Sequence, residues 1–301
     1  MAKIPTYPEL GKLARDLFRR GYHPGLWQIE TKTMTSPGIE LLSTGFTNYD
    51  NSKVSGMLQS KYIMEDKGLT LTEGWNTDRY IFGEIMQKDK LSEGLSLGLG
   101  ARFRPSTNDL DAKFRVQYLQ EKFHALVDLT LNSSYPVLNA SVVMPYEDFL
   151  GGLGLELDLH NVYVNAWKVA LGWSNEQATV LAELKDHGAF LASLFYKVDE
   201  KIDAGVELDR TARWWGDGGG DTDNPEEVQE YHGGDVIVSL GMIYRLDENA
   251  FIRAKINNIV ELGLGYEQKF GEGITGNISA ILDFRRYSGY HRIGVGVALQ
   301  C

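Results

Sequence analysis

Short stretches of strict apolar/polar alternation run through nearly the whole chain. Leu155 to His160 reads Leu-Glu-Leu-Asp-Leu-His, and Ile202 to Asp209 reads Ile-Asp-Ala-Gly-Val-Glu-Leu-Asp. A period of two sends alternate side chains to opposite faces of a strand, so each stretch presents one apolar and one polar face. A soluble sandwich of this length needs strands buried more thoroughly than that. A membrane barrel needs this pattern, with apolar side chains toward lipid and polar ones toward a wet lumen.

No apolar run is longer than the four residues from Ala189 to Ala192, which excludes a membrane-crossing helix. A barrel strand needs only about 9–11 residues, half of them polar. The 301 residues suit one closed unit. Roughly nineteen tilted strands of about ten residues, with turns of about four, leave about one helix over. The fold class expected is all-β: a transmembrane β-barrel of about 19 strands with an N-terminal amphipathic helix in the lumen.

Cys301 is the single cysteine, so no internal disulfide staples the fold. Met1 to Thr6 carry Lys3 and Pro5 but no apolar core, which reads as the absence of a secretory signal and counts against a bacterial outer-membrane protein. A net charge of −11 argues against a nucleic-acid partner.

Residues 1–25 differ from the rest and form an N-terminal helix and hinge; residues 26–301 form the barrel. Leu10, Leu13, Ala14, Leu17 and Phe18 share one face of a helix, with Lys12, Arg15, Asp16, Arg19 and Arg20 on the remainder. Pro8 suits its first turn and Gly21 its end. A cleaved presequence, a surface helix and a luminal helix all fit this pattern. Glu9, Asp16 and the lack of serines disfavour the presequence. A wide barrel otherwise filled with water favours the lumen.

From Leu26 onward the alternating stretches are broken by turn chemistry at Ser36-Pro37-Gly38, Thr47 to Asn51, Ser106 to Asp109 and Gly271-Glu272-Gly273. No helical period returns, so the expected topology is an up-and-down meander. One connector stands apart. Residues 214–243 hold no Lys or Arg but seven carboxylates, from Asp217 to Asp235, and the run Gly218-Gly219-Gly220. The segment 214–235 reads as an acidic loop, either simply solvated or forming a collar that biases ion entry at one mouth.

Glu73 is in phase with Leu69, Leu71 and Trp75, so if they face lipid it does too. An ionisable group there costs up to a few kcal/mol when charged and marks a functional position by default. A local register shift, or a depth near the headgroups, is the alternative. Other motifs fail. Gly271 to Gly276 spells a dinucleotide fingerprint but opens no helix. The six histidines lack metal-ligand spacing, and the sequons at Asn132, Asn139 and Asn277 mean little without secretion. No nucleophile–base constellation stands out, so no enzyme, cofactor or metal site is expected.

Several blocks carry a resemblance. They are Pro5-Thr6-Tyr7 with Leu10-Gly11-Lys12 and Ala14-Arg15-Asp16, Gly68 to Glu73 with Trp75 to Asp78, Ala254 to Asn258 with Gly263 to Tyr266, Ser279 to Asp283, and Gly294 to Val297. Together they resemble the mitochondrial porins, the voltage-dependent anion channel family, over essentially the full length. The resemblance implies a voltage-dependent pore in the mitochondrial outer membrane, embedded in the lipid bilayer, that passes ions and small metabolites including ATP and ADP. It implies a luminal N-terminal helix and a first and last strand paired in parallel. It also implies nucleotide contacts at Lys12 and Arg20, and NAD(H) contacts at Leu262, Gly263, Ser279, Ala280, Ile281, Leu282 and Asp283. Glu73 matches the family's membrane-facing regulatory glutamate, linked to hexokinase docking; apoptosis regulators and a homo-oligomer are further implied partners.

Three departures qualify the transfer. The gating hinge reads Gly21-Tyr22-His23-Pro24-Gly25, and Pro24 fixes φ and restricts His23, so a stiffer hinge and shallower gating are expected. The acidic loop looks inserted. Glu248 stands where a small residue or aspartate is usual. With Glu156, Asp158, Glu207 and Asp209 set against Lys12, Arg15, Arg102, Arg104, Lys113 and Arg115 in the inward phase, weakened or reversed anion selectivity is expected. The alternatives are a protein-import-type barrel and an outer-membrane docking scaffold for kinases and apoptosis regulators.

Overall fold

The computed structural model describes residues 4–22, 26–35, 38–47, 53–77, 79–132, 135–210, 236–284 and 291–300. A 3₁₀ turn, Tyr7–Glu9, precedes one helix, α1 (Lys12–Arg19). Strands then follow as β1 (Trp27–Thr35), β2 (Ile39–Thr47), β3 (Val54–Met64), β4 (Leu69–Asn76) and β5 (Ile81–Lys88). The wall continues through β6 (Leu95–Arg104), β7 (Asp109–Leu119), β8 (His124–Leu131), β9 (Val137–Tyr146) and β10 (Phe149–Asp158). Next come β11 (Tyr163–Ser174), β12 (Ala178–Lys185), β13 (Phe190–Lys197), β14 (Ile202–Arg210) and β15 (Ile237–Arg245). The last are β16 (Ala250–Asn257), β17 (Glu261–Lys269), β18 (Ile274–Asp283) and β19 (Arg292–Gln300).

Each strand pairs antiparallel with its neighbour, and β1 pairs with β19 in parallel, Ile29 opposite Val297, which closes a barrel of 19 strands among the described residues. Closure removes the exposed edges that an open sheet would present to lipid. The expected meander is therefore observed. The odd strand count makes the closing pair parallel, because strands that alternate in direction give the first and the nineteenth the same sense.

The alternation read from the sequence sorts the two faces. In β6, Leu95, Leu97, Leu99, Ala101 and Phe103 occupy the outer phase, while Ser96, Gly98, Gly100, Arg102 and Arg104 occupy the luminal one. The outer wall is an apolar band, on which Leu99 and Ile278 are more than half exposed. That is the arrangement hydrocarbon requires. The turn foreseen at Ser106 to Asp109 is present, with Asn108 in the left-handed region at φ 58°. The turn at Gly271 and Gly273 links β17 to β18.

The buried core lies at the lumen, where the N-terminal segment packs on the wall. One cluster joins Ile4 and Leu10 to Val143, Ala170 and Leu181. A second joins Ala14, Leu17 and Phe18 to Phe195. The helix is shorter than its periodicity suggested. Gly11, at φ 64°, separates the 3₁₀ turn from α1, so Pro8 lies in that turn rather than in the helix. The break also rotates Leu13 off the packing face and leaves it exposed.

Candidate functional site

The barrel lumen, with the N-terminal segment laid across its wall, is the candidate functional site. The segment is tied down at successive points. At its start, His124 Nδ1–H donates to the Ile4 carbonyl at 2.7 Å, which leaves Nε2 as the acceptor of the Gln117 amide at 2.7 Å. Tyr7 Oη donates to Glu183 at 2.9 Å. Burial, then the Glu183 carboxylate, push the Tyr7 phenol well above its ordinary range, so it remains a donor. Arg15 bonds back to the carbonyls of Pro8 and Leu10 at 2.7 and 2.6 Å, bracing α1 against the turn before it.

Leu17 and Phe18 sit over Gly205 and Gly241, which face each other across β14 and β15. A methyl group on Gly241 would lie 2.2 Å from Leu17 Cδ2 and 2.8 Å from Phe18, so only glycine admits the helix there. Gly152 makes the same room for Leu10 and Tyr7. At the helix end, Lys255 Nζ donates to the Phe18 carbonyl at 2.9 Å and lies 4.5 Å from the centroid of the Tyr22 ring. A cation at a helix C-terminus satisfies a carbonyl that lacks an intrahelical donor and complements the dipole.

The wall of β5 to β8 carries a ladder of ion pairs. Arg115 grips Asp128 with two bonds, 2.7 and 3.1 Å, and lies 3.9 Å from Glu84. Lys113 lies 3.5 Å from the same Asp128. Arg102 meets Asp111 at 3.4 Å, Arg104 meets Asp109 at 3.8 Å, and both guanidiniums stack on Tyr80. The wall cations assigned to the lumen from their phase, Arg102, Arg104, Lys113 and Arg115, are thus each set against a carboxylate. Among the luminal acids, Glu207 is buried under α1, Asp203 pairs with Arg245, and Glu156 accepts from Asn165 at 3.3 Å. Asp158 caps the turn after β10, accepting from His160, from the Asn161 backbone and from the Asn161 side chain.

The residues assigned to nucleotide contact fall into three groups. Lys12 and Arg20 are exposed on the pore side of the N-terminal segment. Gly263, Ser279, Ile281 and Asp283 hold the luminal phase of β17 and β18, near Tyr22. Leu262, Ala280 and Leu282 hold the opposite phase and face outward, because consecutive strand residues cannot share a face. Glu261 stands directly opposite Asp283 across this pair of strands.

Glu73 is exposed in the outer phase with Trp75, as its spacing required, and no register shift intervenes between β3 and β4. Ser60 Oγ donates to its carboxylate at 3.2 Å, and Gly83 flanks it on the other side. Of the hinge, Gly21 is placed, at φ 83° beside Arg253; His23, Pro24 and Gly25 lie outside the described residues. The acidic segment 214–235 does too, but the strands it connects, β14 and β15, carry α1 and open at the mouth where β1 begins.

Sequence reasoning passed over His124 and Lys255, which hold the N-terminal segment, and Arg253 and Asn277, which lie against it at Gly21. Their signal was the inward phase alone, shared with many residues that hold nothing. The sequons at Asn139 and Asn277 are part of the luminal phase of the wall. Among the described residues no group of three or more His, Cys, Asp or Glu is placed to hold a metal ion.

A family model described as eukaryotic porin matches residues 3–294. The chain is 37% identical to the voltage-dependent anion-selective channel of Drosophila melanogaster, over 98% of this chain and 99% of that one. It is 32% identical to the human non-selective voltage-gated ion channel VDAC1 over the full length of both. Among solved structures, a triple mutant of the Rhodopseudomonas blastica porin matches at 12% identity and a TM-score of 0.46, covering 83% of this chain and 90% of that one. With its closed barrel, apolar outer band and polar lumen, the chain belongs to the eukaryotic porin family and is a pore-forming β-barrel of the mitochondrial outer membrane.

Proposed function

We propose that the chain is a voltage-dependent diffusion pore for ions and small metabolites, adenine nucleotides included, with weaker anion selectivity than a typical family member. The observation that carries the selectivity reading is the pairing of Arg102, Arg104, Lys113 and Arg115 with wall carboxylates. A cation held by a carboxylate at 2.7–3.8 Å contributes little field to the pore centre, because the pair looks neutral from beyond its own separation. The seven carboxylates that the sequence carries between β14 and β15 push in the same direction.

Nucleotide phosphates are assigned to Lys12 and Arg20, which are both exposed on the N-terminal segment. The inward subset Gly263, Ser279, Ile281 and Asp283 is the part of the NAD(H) assignment that lies on the luminal side of the wall. The carboxylates of Glu261 and Asp283 make it a poor seat for a pyrophosphate. Voltage-dependent closure is assigned to displacement of the N-terminal segment about the Gly21–Gly25 hinge. Hexokinase, apoptosis regulators and further copies of the chain would meet the outer face around Glu73. Full-length likeness to channel relatives favours the pore over the import-type barrel and the docking scaffold. The deciding experiment is a reversal potential in a salt gradient across a planar bilayer. Weak anion or cation preference is expected, and strong anion preference overturns the selectivity reading.

A further inference from the structure

The N-terminal segment is not held evenly along its length. From Ile4 to Phe18 its anchors are short and complete: Ile4 on His124 at 2.7 Å, Tyr7 on Glu183 at 2.9 Å, Phe18 on Lys255 at 2.9 Å, with two apolar clusters between them. At Gly21–Tyr22 the fit is different. Tyr22 Oη, Arg253 Nε and Asn277 Oδ1 are all buried with no hydrogen-bond partner. Tyr22 and Arg253 are 7% exposed and Asn277 is 8% exposed.

These groups converge on one turn of chain. A methyl group on Gly21 would lie 3.0 Å from Arg253 Nε and 3.5 Å from Asn277 Nδ2, and the Tyr22 ring lies over Gly263. The bond from Asn277 Nδ2 to the Gly21 carbonyl is long, at 3.4 Å. A buried polar atom without a partner forfeits its hydration and gains nothing in return. Luminal water satisfies all three as soon as the strap lifts. The cost of docking is therefore concentrated at the strap, and the gain is concentrated upstream of it.

We propose that the N-terminal segment undocks in a fixed order: Gly21–Tyr22 lifts from β16, β17 and β18 first, while Ile4 to Phe18 stays seated. Tyr22, Arg253 and Asn277 are the positioning residues that set this order. Lifting the strap also bares Gly263 beneath Tyr22, so the inward nucleotide candidates become reachable before the helix moves. The proposal rests on the reading of this segment as the mobile part of the pore.

The test uses the full chain in lipid bilayers with Cys301→Ser as background and a water-soluble thiol reagent. Ser279→Cys places a probe beside Gly265, under the Gly21 carbonyl, and Ala14→Cys places one beneath the helix; both positions are 1% exposed. The strap probe is expected to react at least about tenfold faster than the helix probe. Tyr22→Phe, which removes one orphaned hydroxyl without changing charge, is expected to slow the strap probe about tenfold and leave the helix probe unchanged. Arg253→Met is expected to act in the same direction, and serves if Tyr22→Phe does not insert. Equal rates at the two probes, or equal slowing of both, overturn the proposal. Closure voltage, recorded on the same variants, separately decides whether strap lifting is a step of gating.

Discussion

Arg115 and Asp128 face each other across β7 and β8 and are joined by two bonds, at 2.7 and 3.1 Å, with Lys113 and Glu84 at either side. The pair fixes how these charges count. Two cations share one carboxylate, and a second carboxylate stands behind Arg115, so the group is nearly neutral as seen from the pore. Asp128→Asn leaves the shape of the wall and takes the group from nearly neutral to one net positive charge, with Glu84 still beside Arg115. The expected result is a shift of the reversal potential toward anion preference, larger at low salt because screening shortens with ionic strength. An unchanged reversal potential at low salt would mean that this wall does not set selectivity.

Gly241 is the seat of Leu17. Gly241→Ala puts a methyl group within 2.2 Å of Leu17 Cδ2, and overpacking of that kind costs about 1–3 kcal/mol. The variant is expected to close at lower voltage and to dwell in reduced-conductance states. Leu17→Ala empties the same space, so in combination with Gly241→Ala it should cost less than the two changes summed, by at least about 0.5 kcal/mol in a double-mutant cycle. Additive effects on closure would show that the two residues do not share a seat.

Glu73 keeps its place on the apolar outer wall with a single hydrogen bond from Ser60. Glu73→Gln preserves that bond and removes the charge. Unfolding from bilayers by denaturant should show a gain of about 1–2 kcal/mol, less than a lipid-facing lysine would give up. Kinase binding measured on the same variant separates stability from docking: a stable barrel that no longer binds identifies the carboxylate as a contact.

The period-two pattern carried the fold because one rule, repeated along the chain, determines strand, face and closure together. It also placed Glu73 correctly, since phase is a local property of β4. It could not locate the dock of the N-terminal segment. Lys255 touches Phe18 across 237 positions of sequence, and His124 touches Ile4 across 120, so nothing in either neighbourhood marks the contact. The residues that the resemblance assigns to nucleotide contact are a different case. Ser279 to Asp283 are consecutive in sequence, but their strand turns Ser279, Ile281 and Asp283 inward and Ala280 and Leu282 outward. The phase of Arg102, Arg104, Lys113 and Arg115 was legible, yet their pairing was not, because cross-strand neighbours depend on register.

The hinge yields the remaining prediction. Tyr22 is packed on the wall and Trp27 opens β1, so the residues between them must absorb any displacement of the N-terminal segment. A proline restricts its own φ and the residue before it, so the sequence His23-Pro24 leaves less freedom than a glycine-rich link would have. Replacing His23 and Pro24 with Gly restores that freedom without touching the dock at Lys255. The expected outcome is a steeper voltage dependence with the open conductance unchanged, because the segment would swing further for the same field while the wall stays as it was. If the steepness does not change, the hinge does not limit gating, and the limit must lie in the dock itself, where Lys255→Met should then lower the closure voltage by loosening the helix end.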